Sequence, residues 1–160
     1  MDTTRLSQGQ MIAAVSAVLL FIFMFLPWLG FDLPQGANFD DSFNAWQATQ
    51  SLDVYLFILI LAAVVPALLA MGGNTSQLPF VGAATTFLLA VIGLVLIVAL
   101  IVDPGPFSIQ LGTNPLEFNV RIGGWLGLLA TGGIAVGGYL AMQDEAYGGA
   151  AAPPPPTDRY

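Results

Sequence analysis

The chain has 160 residues, of which 56% are hydrophobic and 8% are charged, and it carries a formal net charge of −7 at pH 7. Because soluble domains have about 25% charged residues, this composition excludes most soluble folds, and the acidic balance argues against a nucleic-acid partner, which needs a basic surface. The sequence contains no His, Cys or Lys. It therefore lacks the usual general base, thiol nucleophile and zinc ligands, and we expect a non-enzymatic protein with no catalytic residue, no cofactor and no metal site.

Four long apolar segments follow one another along the chain. A bilayer core about 30 Å thick needs roughly 20 apolar residues in a helix. The segments 11–28, 54–71, 80–102 and 123–142 meet this requirement and contain no charged residue. We therefore predict an all-α membrane protein of the plasma membrane, in which residues 1–147 form a four-transmembrane-helix antiparallel bundle with two long outer loops.

The orientation in the membrane depends on few charges. The first segment ends in Pro27 and Trp28 without a cleavage site of small residues, so we expect a retained helix rather than a signal peptide. Four spans place both chain ends on one side, which holds Arg5 and Arg159, whereas Arg121 lies on the other. The positive-inside rule then favours cytoplasmic termini. The indole side chains are predicted to anchor the outer boundary, where aromatic rings collect: Trp28, Trp46 and Trp125.

The first outer connection, residues 29–53, has a helical pattern in its second half. Phe39, Phe43 and Trp46 stand at positions i, i+4 and i+7, which predicts a short helix over residues 41–50. The alternative is an irregular loop whose aromatic side chains contact lipid. The polar residues before this stretch are candidates for the helix N-cap: Asn38, Asp40, Asp41 and Ser42.

The outer connections also hold the candidates for an ion pair or a ligand site. Asp40 and Asp41 supply oxygen ligands of the kind that Ca²⁺ prefers, but their spacing does not match an EF-hand loop, so we expect solvated carboxylates. Arg121 is the one basic residue of the outer side. We expect it to pair with a nearby carboxylate such as Asp53, and an anion-binding role is the alternative.

The second and third spans are expected to be antiparallel neighbours, because the link between them, residues 72–79, is short. Pro66 is predicted to kink the second span. Four serine and threonine side chains lie well inside the spans. Each is expected to bond the carbonyl one turn back or to contact a neighbouring helix: Ser16, Thr85, Thr86 and Thr131.

The second outer connection, residues 103–122, opens with a Pro-Gly-Pro turn signal. Residues 107–111 and 116–120 have strand character on either side of a Gly-Thr-Asn-Pro turn. This pattern predicts a small outer hairpin over the bundle.

The fourth span carries the strongest packing pattern. Gly123 and Gly127, and again Gly133 and Gly137, are small residues four positions apart, which lets two helix backbones approach closely. The interpretation is packing within the bundle, and the alternative is an interface with a second copy or with a partner membrane protein. The third span offers small residues as a receiving surface: Gly82, Ala83, Ala90 and Gly93.

Residues 148–160 are rich in Gly, Ala and Pro, with four consecutive prolines. This composition predicts a disordered Pro-rich cytoplasmic tail. The alternative is a docking segment for a proline-recognising partner.

The fourth span also carries a resemblance. The string Arg121-Ile-Gly-Gly-Trp-Leu-Gly-Leu-Leu-Ala, followed by Gly133-Ile-Ala-Val-Gly-Gly-Tyr-Leu-Ala-Met, is similar to small four-span membrane proteins of actinobacteria, the high-GC Gram-positive bacteria. The opening Arg5-Leu-Ser-Gln-Gly and Phe25-Leu-Pro-Trp belong to the same resemblance. It implies a membrane location and a topology rather than a reaction.

These patterns favour a structural or accessory subunit that packs with itself or with partner membrane proteins in the lipid bilayer. A channel or carrier for a small neutral or cationic solute is the first alternative, although the spans lack the charged residue that usually marks a proton relay. An outer-surface ligand-binding module built from the two long loops is the second.

Overall fold

The computed structural model describes residues 7–31, 42–48, 51–71, 82–103 and 118–148. This part of the chain is mostly helical. Its helices are α1 (Gln8–Phe23), α2 (Ala45–Ala48), α3 (Leu52–Met71), α4 (Ala83–Val102) and α5 (Ile122–Gly148). Its strands are β1 (Pro27–Phe31), β2 (Ser42–Asn44) and β3 (Phe118–Val120).

Three helices within the described ranges are long and apolar enough to cross a membrane. They cover Leu52–Leu69, Ala83–Val102 and Ile122–Ala146, and they correspond to the second, third and fourth predicted spans. The helix α1 is apolar but has only 16 residues. Length and composition thus support a multi-pass membrane protein with at least three spans.

The first predicted span, residues 11–28, is helical only as far as Phe23. The helix α1 begins earlier than expected, because Ser7 and Gln10 form a capping box in which each side chain bonds the backbone N–H of the other. It ends before Pro27, which has no backbone N–H and disfavours helical geometry at the residue before it. Two short turn bonds close this end, from Phe25 N to the Ile22 carbonyl and from Leu26 N to the Phe23 carbonyl, each 3.1 Å long.

A three-stranded antiparallel sheet with the order β2-β1-β3 lies at the end of α1. Strand β3 pairs with β1, with Leu29 opposite Val120, so the strand predicted within residues 116–120 is joined to the first span. Its predicted partner, residues 107–111, lies outside the described ranges.

The short helix predicted over residues 41–50 is reduced to α2, because Ser42–Asn44 pair with β1 instead. The side chain of Asn44 accepts a hydrogen bond of 3.1 Å from Gln47 N, so Asn44 takes the capping role expected of the residues before it. Of those expected caps, Ser42 lies in strand β2. Asn38, Asp40 and Asp41 lie outside the described part of the chain, as does most of the Pro-rich tail.

The four long helices pack around a common apolar core. Helix α5 packs on α1 and α4, and α3 packs on the same two helices. Contacts between α1 and α5 join Gly9 to Ala141 and Ser16 to Gly133, so these two helices run in opposite directions. Apolar side chains fill most of the fully buried positions between the helices, among them Ala17, Leu20, Leu56, Leu59, Ile97 and Ile134.

Candidate functional site

The four glycines predicted to form a packing surface all lie on the side of α5 that faces the first segment of the chain. A Cβ atom placed on Gly137 would lie 2.8 Å from the Ala13 Cα atom and 2.8 Å from the Gly9 carbonyl oxygen. Both distances are shorter than real Cβ contacts. The backbones of α1 and α5 therefore touch, and they gain dispersion contacts that larger side chains would prevent.

The surface that receives these glycines is on α1, not on α4 as the sequence suggested. A Cβ atom on Gly9 would lie 2.6 Å from the Gly137 carbonyl oxygen, and Ala13 and Ala17 continue the same buried face one turn apart. The sequence did contain the signal, since Gly9, Ala13 and Ala17 are small residues four positions apart. Gly133 completes the contact against the Ser16 side chain.

Trp28 fills the space that Gly123 and Gly127 leave open. The indole ring lies against both glycines, and its Nε1 atom donates a hydrogen bond of 2.8 Å to the Phe23 carbonyl. Trp28 is 0% exposed. The prediction that Trp28 anchors the outer boundary is therefore wrong. Gly123 and Gly127 leave enough space for the whole ring inside the protein, and the Phe23 carbonyl accepts its hydrogen bond.

The other two tryptophans are accessible, as membrane anchors are. Trp46 is 37% exposed and Trp125 is 51% exposed. Trp46 is part of an aromatic cluster formed by α1, the turn that follows it, α2 and α3, in which neighbouring ring centroids lie 5.3 to 6.1 Å apart. The cluster consists of Phe21, Phe25, Trp46 and Phe57, all of them exposed. Such rings favour the boundary between headgroups and acyl chains.

Helix α4 contributes a second close contact rather than the expected receiving surface. A Cβ atom on Gly138 of α5 would lie 3.0 Å from Phe87 N, so the two backbones approach here as well. Gly93 is buried against Leu59 and Thr131, whereas the space around Gly82 is open. The two glycines expected on the third span therefore do not form one receiving surface.

Helices α3 and α4 are joined by two hydrogen bonds from side chains to backbone carbonyls. The Tyr55 hydroxyl donates to the Leu89 carbonyl at 2.6 Å, and the Thr86 hydroxyl donates to the Ala62 carbonyl at 3.1 Å. Thr86 also lies 3.4 Å from the Gly82 carbonyl one turn back, so both of the roles predicted for a hydroxyl in a span occur at this residue. Thr131 differs, since its hydroxyl is buried without a hydrogen-bond partner.

Of the charged candidates predicted for the outer side, Asp53 and Arg121 lie within the described ranges, each near the start of a helix. Asp53 is in the first turn of α3, where the helix dipole stabilises a negatively charged carboxylate. Its Oδ1 atom is buried without a hydrogen-bond partner. Arg121 precedes α5, and its backbone N–H donates to the Trp28 carbonyl at 2.8 Å. The pairing of Arg121 with Asp53 stays a prediction. Among the described residues, no group of three His, Cys, Asp or Glu side chains is placed to hold a metal ion.

This arrangement allows the close association of apolar helices. Small residues bring backbones together, one indole ring fills the remaining space, and hydroxyl groups bond carbonyls across helices. No known protein-family model matches this chain, and neither a curated protein nor a solved structure shows significant similarity to it.

Proposed function

We propose that the chain is a four-span membrane protein with a structural or accessory, non-enzymatic role, which acts by packing with itself or with partner membrane proteins. The observation that carries this proposal is the tight apolar interior. The buried polar side chains among the described residues are Thr86 and Thr131, and at Gly9 and Gly137 the α1–α5 contact has no room for a Cβ atom. An interior of this kind offers surfaces for packing rather than a path for solutes.

The proposal of four spans includes the short helix α1. Residues from Gly9 to Trp28 lie alongside α5 from Ala141 to Gly123. That stretch of α5 rises about 27 Å at 1.5 Å per residue, close to the thickness of a bilayer core. The first segment crosses the same depth as α5, with its last residues in a turn and in strand β1 rather than in a helix.

The proposed orientation places both chain ends in the cytoplasm and the sheet on the outer side of the plasma membrane. The arginine distribution supports it through the positive-inside rule. Trp46 and Trp125 lie near the sheet end of the molecule, where an aromatic belt is expected. The resemblance to small actinobacterial membrane proteins agrees with this topology.

The surface of the helices that faces away from the core is the proposed site of association. On α5 it carries large exposed side chains: Ile122, Trp125, Leu129, Val136 and Tyr139. Gly132 lies among them, and a Cβ atom placed there meets no other atom within 4 Å. This face is covered by lipid or by another protein, since water does not reach it within a bilayer.

The experiment that tests the proposal is native mass spectrometry of the protein after gentle extraction from its host membrane. We expect a defined homo-oligomer or a reproducible complex with another membrane protein. A monomer would contradict the proposal, and a monomer that retains a small solute would favour the channel or carrier instead.

A matched variant tests the contribution of α5 to such a complex. Gly132→Leu adds a side chain on the exposed face without entering the bundle. If α5 forms the interface, the complex is lost while the thermal stability of the protomer does not fall. An unchanged complex places the interface on another helix.

A further inference from the structure

The helix α3 contains an internal proline, and its effect falls on one carbonyl group. In an α-helix the carbonyl of residue i accepts a hydrogen bond from the N–H of residue i+4. Pro66 has no N–H, so the Ala62 carbonyl lacks this donor, and the proline ring also crowds that carbonyl. Inside a bilayer no water replaces the missing donor, so an unpaired carbonyl there is costly.

The missing donor is supplied by the neighbouring helix. The Thr86 hydroxyl of α4 lies 3.1 Å from the Ala62 oxygen and donates to it. Thr86 is 5% exposed, so lipid or water does not compete for this bond. Helix α3 continues through Pro66 to Met71, and the bond from α4 satisfies the carbonyl that the proline leaves open.

The rest of α3 is held differently on the two sides of the proline. Before it, Tyr55 donates to the Leu89 carbonyl at 2.6 Å, and Leu56 and Leu59 are fully buried. After it, Ala67 is buried but Leu68 is largely exposed. Exposed and buried residues thus occur on both sides of the proline, but the described hydrogen bonds between α3 and α4, at Tyr55 and at Ala62, both lie upstream of it. The segment downstream therefore depends more on the continuity of the helix at the proline.

We propose that Pro66 is a hinge in α3 and that Thr86 is the latch that holds it closed. Without the hydroxyl, the Ala62 carbonyl loses its donor, and the turn from Pro66 to Met71 separates from the rest of the helix. The device is independent of the function proposed above, since it concerns a movement within one protomer.

A double-mutant cycle tests the latch. Thr86→Val removes the hydroxyl and keeps the shape of the side chain, whereas Pro66→Ala restores an N–H four residues after Ala62. Hydrogen bonds between membrane helices change unfolding equilibria by about 3- to 20-fold. In reversible unfolding in mixed micelles, we expect Thr86→Val to raise the unfolding equilibrium constant by such a factor in the natural chain. In the Pro66→Ala background, we expect Thr86→Val to change the logarithm of the unfolding equilibrium constant by less than half as much as in the natural chain.

Two further variants serve as controls. Thr86→Ser keeps the hydroxyl and retains most of the stability that Thr86→Val loses. Thr131→Val removes a buried hydroxyl that has no hydrogen-bond partner, and it leaves the unfolding equilibrium unchanged or more favourable to the folded state. Equal effects of Thr86→Val in the natural chain and in the Pro66→Ala variant would overturn the proposal, since the hydroxyl would then act elsewhere.

The movement itself is measured by deuterium exchange of the folded protein in detergent micelles. In Thr86→Val, the backbone amides of residues 67–71 are expected to exchange at least several-fold faster, while those of residues 56–62 keep their rates. A uniform increase along α3, or no increase after Pro66, would show that no hinge opens there.

Discussion

At Gly137 a hydrogen atom is the only side chain that the contact between α1 and α5 admits. The Ala13 Cα atom and the Gly9 carbonyl both lie within 2.8 Å of the place where a Cβ atom would stand. Gly132, five residues earlier on the same helix, has open space at the corresponding position. Substitutions at Gly137 and Gly132 therefore distinguish two effects on stability. Both change the intrinsic helix propensity, but only the substitution at Gly137 overpacks a helix contact.

We expect Gly137→Ala and Gly132→Ala to change stability in opposite directions. Gly137→Ala forces two backbones apart and lowers the free energy of unfolding by about 1–3 kcal/mol. Gly132→Ala gains helix propensity without a clash and raises it by up to about 1 kcal/mol. Reversible unfolding in mixed micelles measures both values, and a tolerated Gly137→Ala would contradict the close contact.

Trp28 and Trp125 form a second matched pair, one buried and one exposed. Trp28→Ala leaves a cavity between Gly123 and Gly127, and we expect a loss of about 3–5 kcal/mol. Trp125→Ala removes a ring from the helix surface, and its effect on unfolding is expected to stay below about 1 kcal/mol. Thermal melts of the two variants compare these costs, and equal shifts in melting temperature would mean that Trp28 is not enclosed.

At the scale of elements, the sheet connects parts of the chain that the sequence assigns to separate loops. The Ala45 N–H donates to the Met24 carbonyl at 3.1 Å, and the Arg121 N–H donates to the Trp28 carbonyl at 2.8 Å. The starts of α2 and α5 are thus both fastened to the end of the first segment. Because Trp28 lies in β1, it is the pairing of β1 with β3 that places this side chain over the glycines of α5.

This register is accessible to cross-linking, because the chain has no native cysteine. Leu29 and Val120 are paired across β1 and β3, and opposed residues in antiparallel strands lie within disulfide distance. We expect the double variant Leu29→Cys/Val120→Cys to form an intramolecular disulfide on mild oxidation, detected by a mobility shift that a reductant reverses. The control Leu29→Cys/Asn119→Cys places the second thiol on the opposite face of the strand and is expected to stay reduced.

For the molecule as a whole, the strongest prediction is its topology. Single cysteines in place of Ser42, at the sheet end, and Glu145, at the far end of α5, are expected to lie on opposite sides of the membrane. An impermeant maleimide added to intact cells should label the Ser42→Cys variant only. Labelling of Glu145→Cys alone would invert the proposed orientation, and labelling of both would contradict a spanning α5.

Hydropathy was sufficient to locate α3, α4 and α5, since a run of about 20 apolar residues without charge is typical of a membrane-spanning helix. It was less successful at the first segment, where all residues from Met11 to Trp28 are apolar except Ser16 but the helix ends at Phe23. Pro27 was visible in the sequence, and its helix-breaking effect outweighs the hydropathy of its neighbours. Strand character was visible at residues 116–120, but the pairing of this strand with β1 was not, because pairing between distant strands has no local signal.

The amino-acid sequence by itself determined which segments form helices long and apolar enough to cross a membrane and which residues are small enough for close contact. Composition and periodicity are local properties, so they can be evaluated without knowing the neighbours of a residue. The tertiary structure alone decided which helix receives the glycines of α5, that Trp28 is enclosed, and that Thr86 serves the carbonyl freed by Pro66. These depend on which segments meet in space, and that is decided by the packing of the whole bundle.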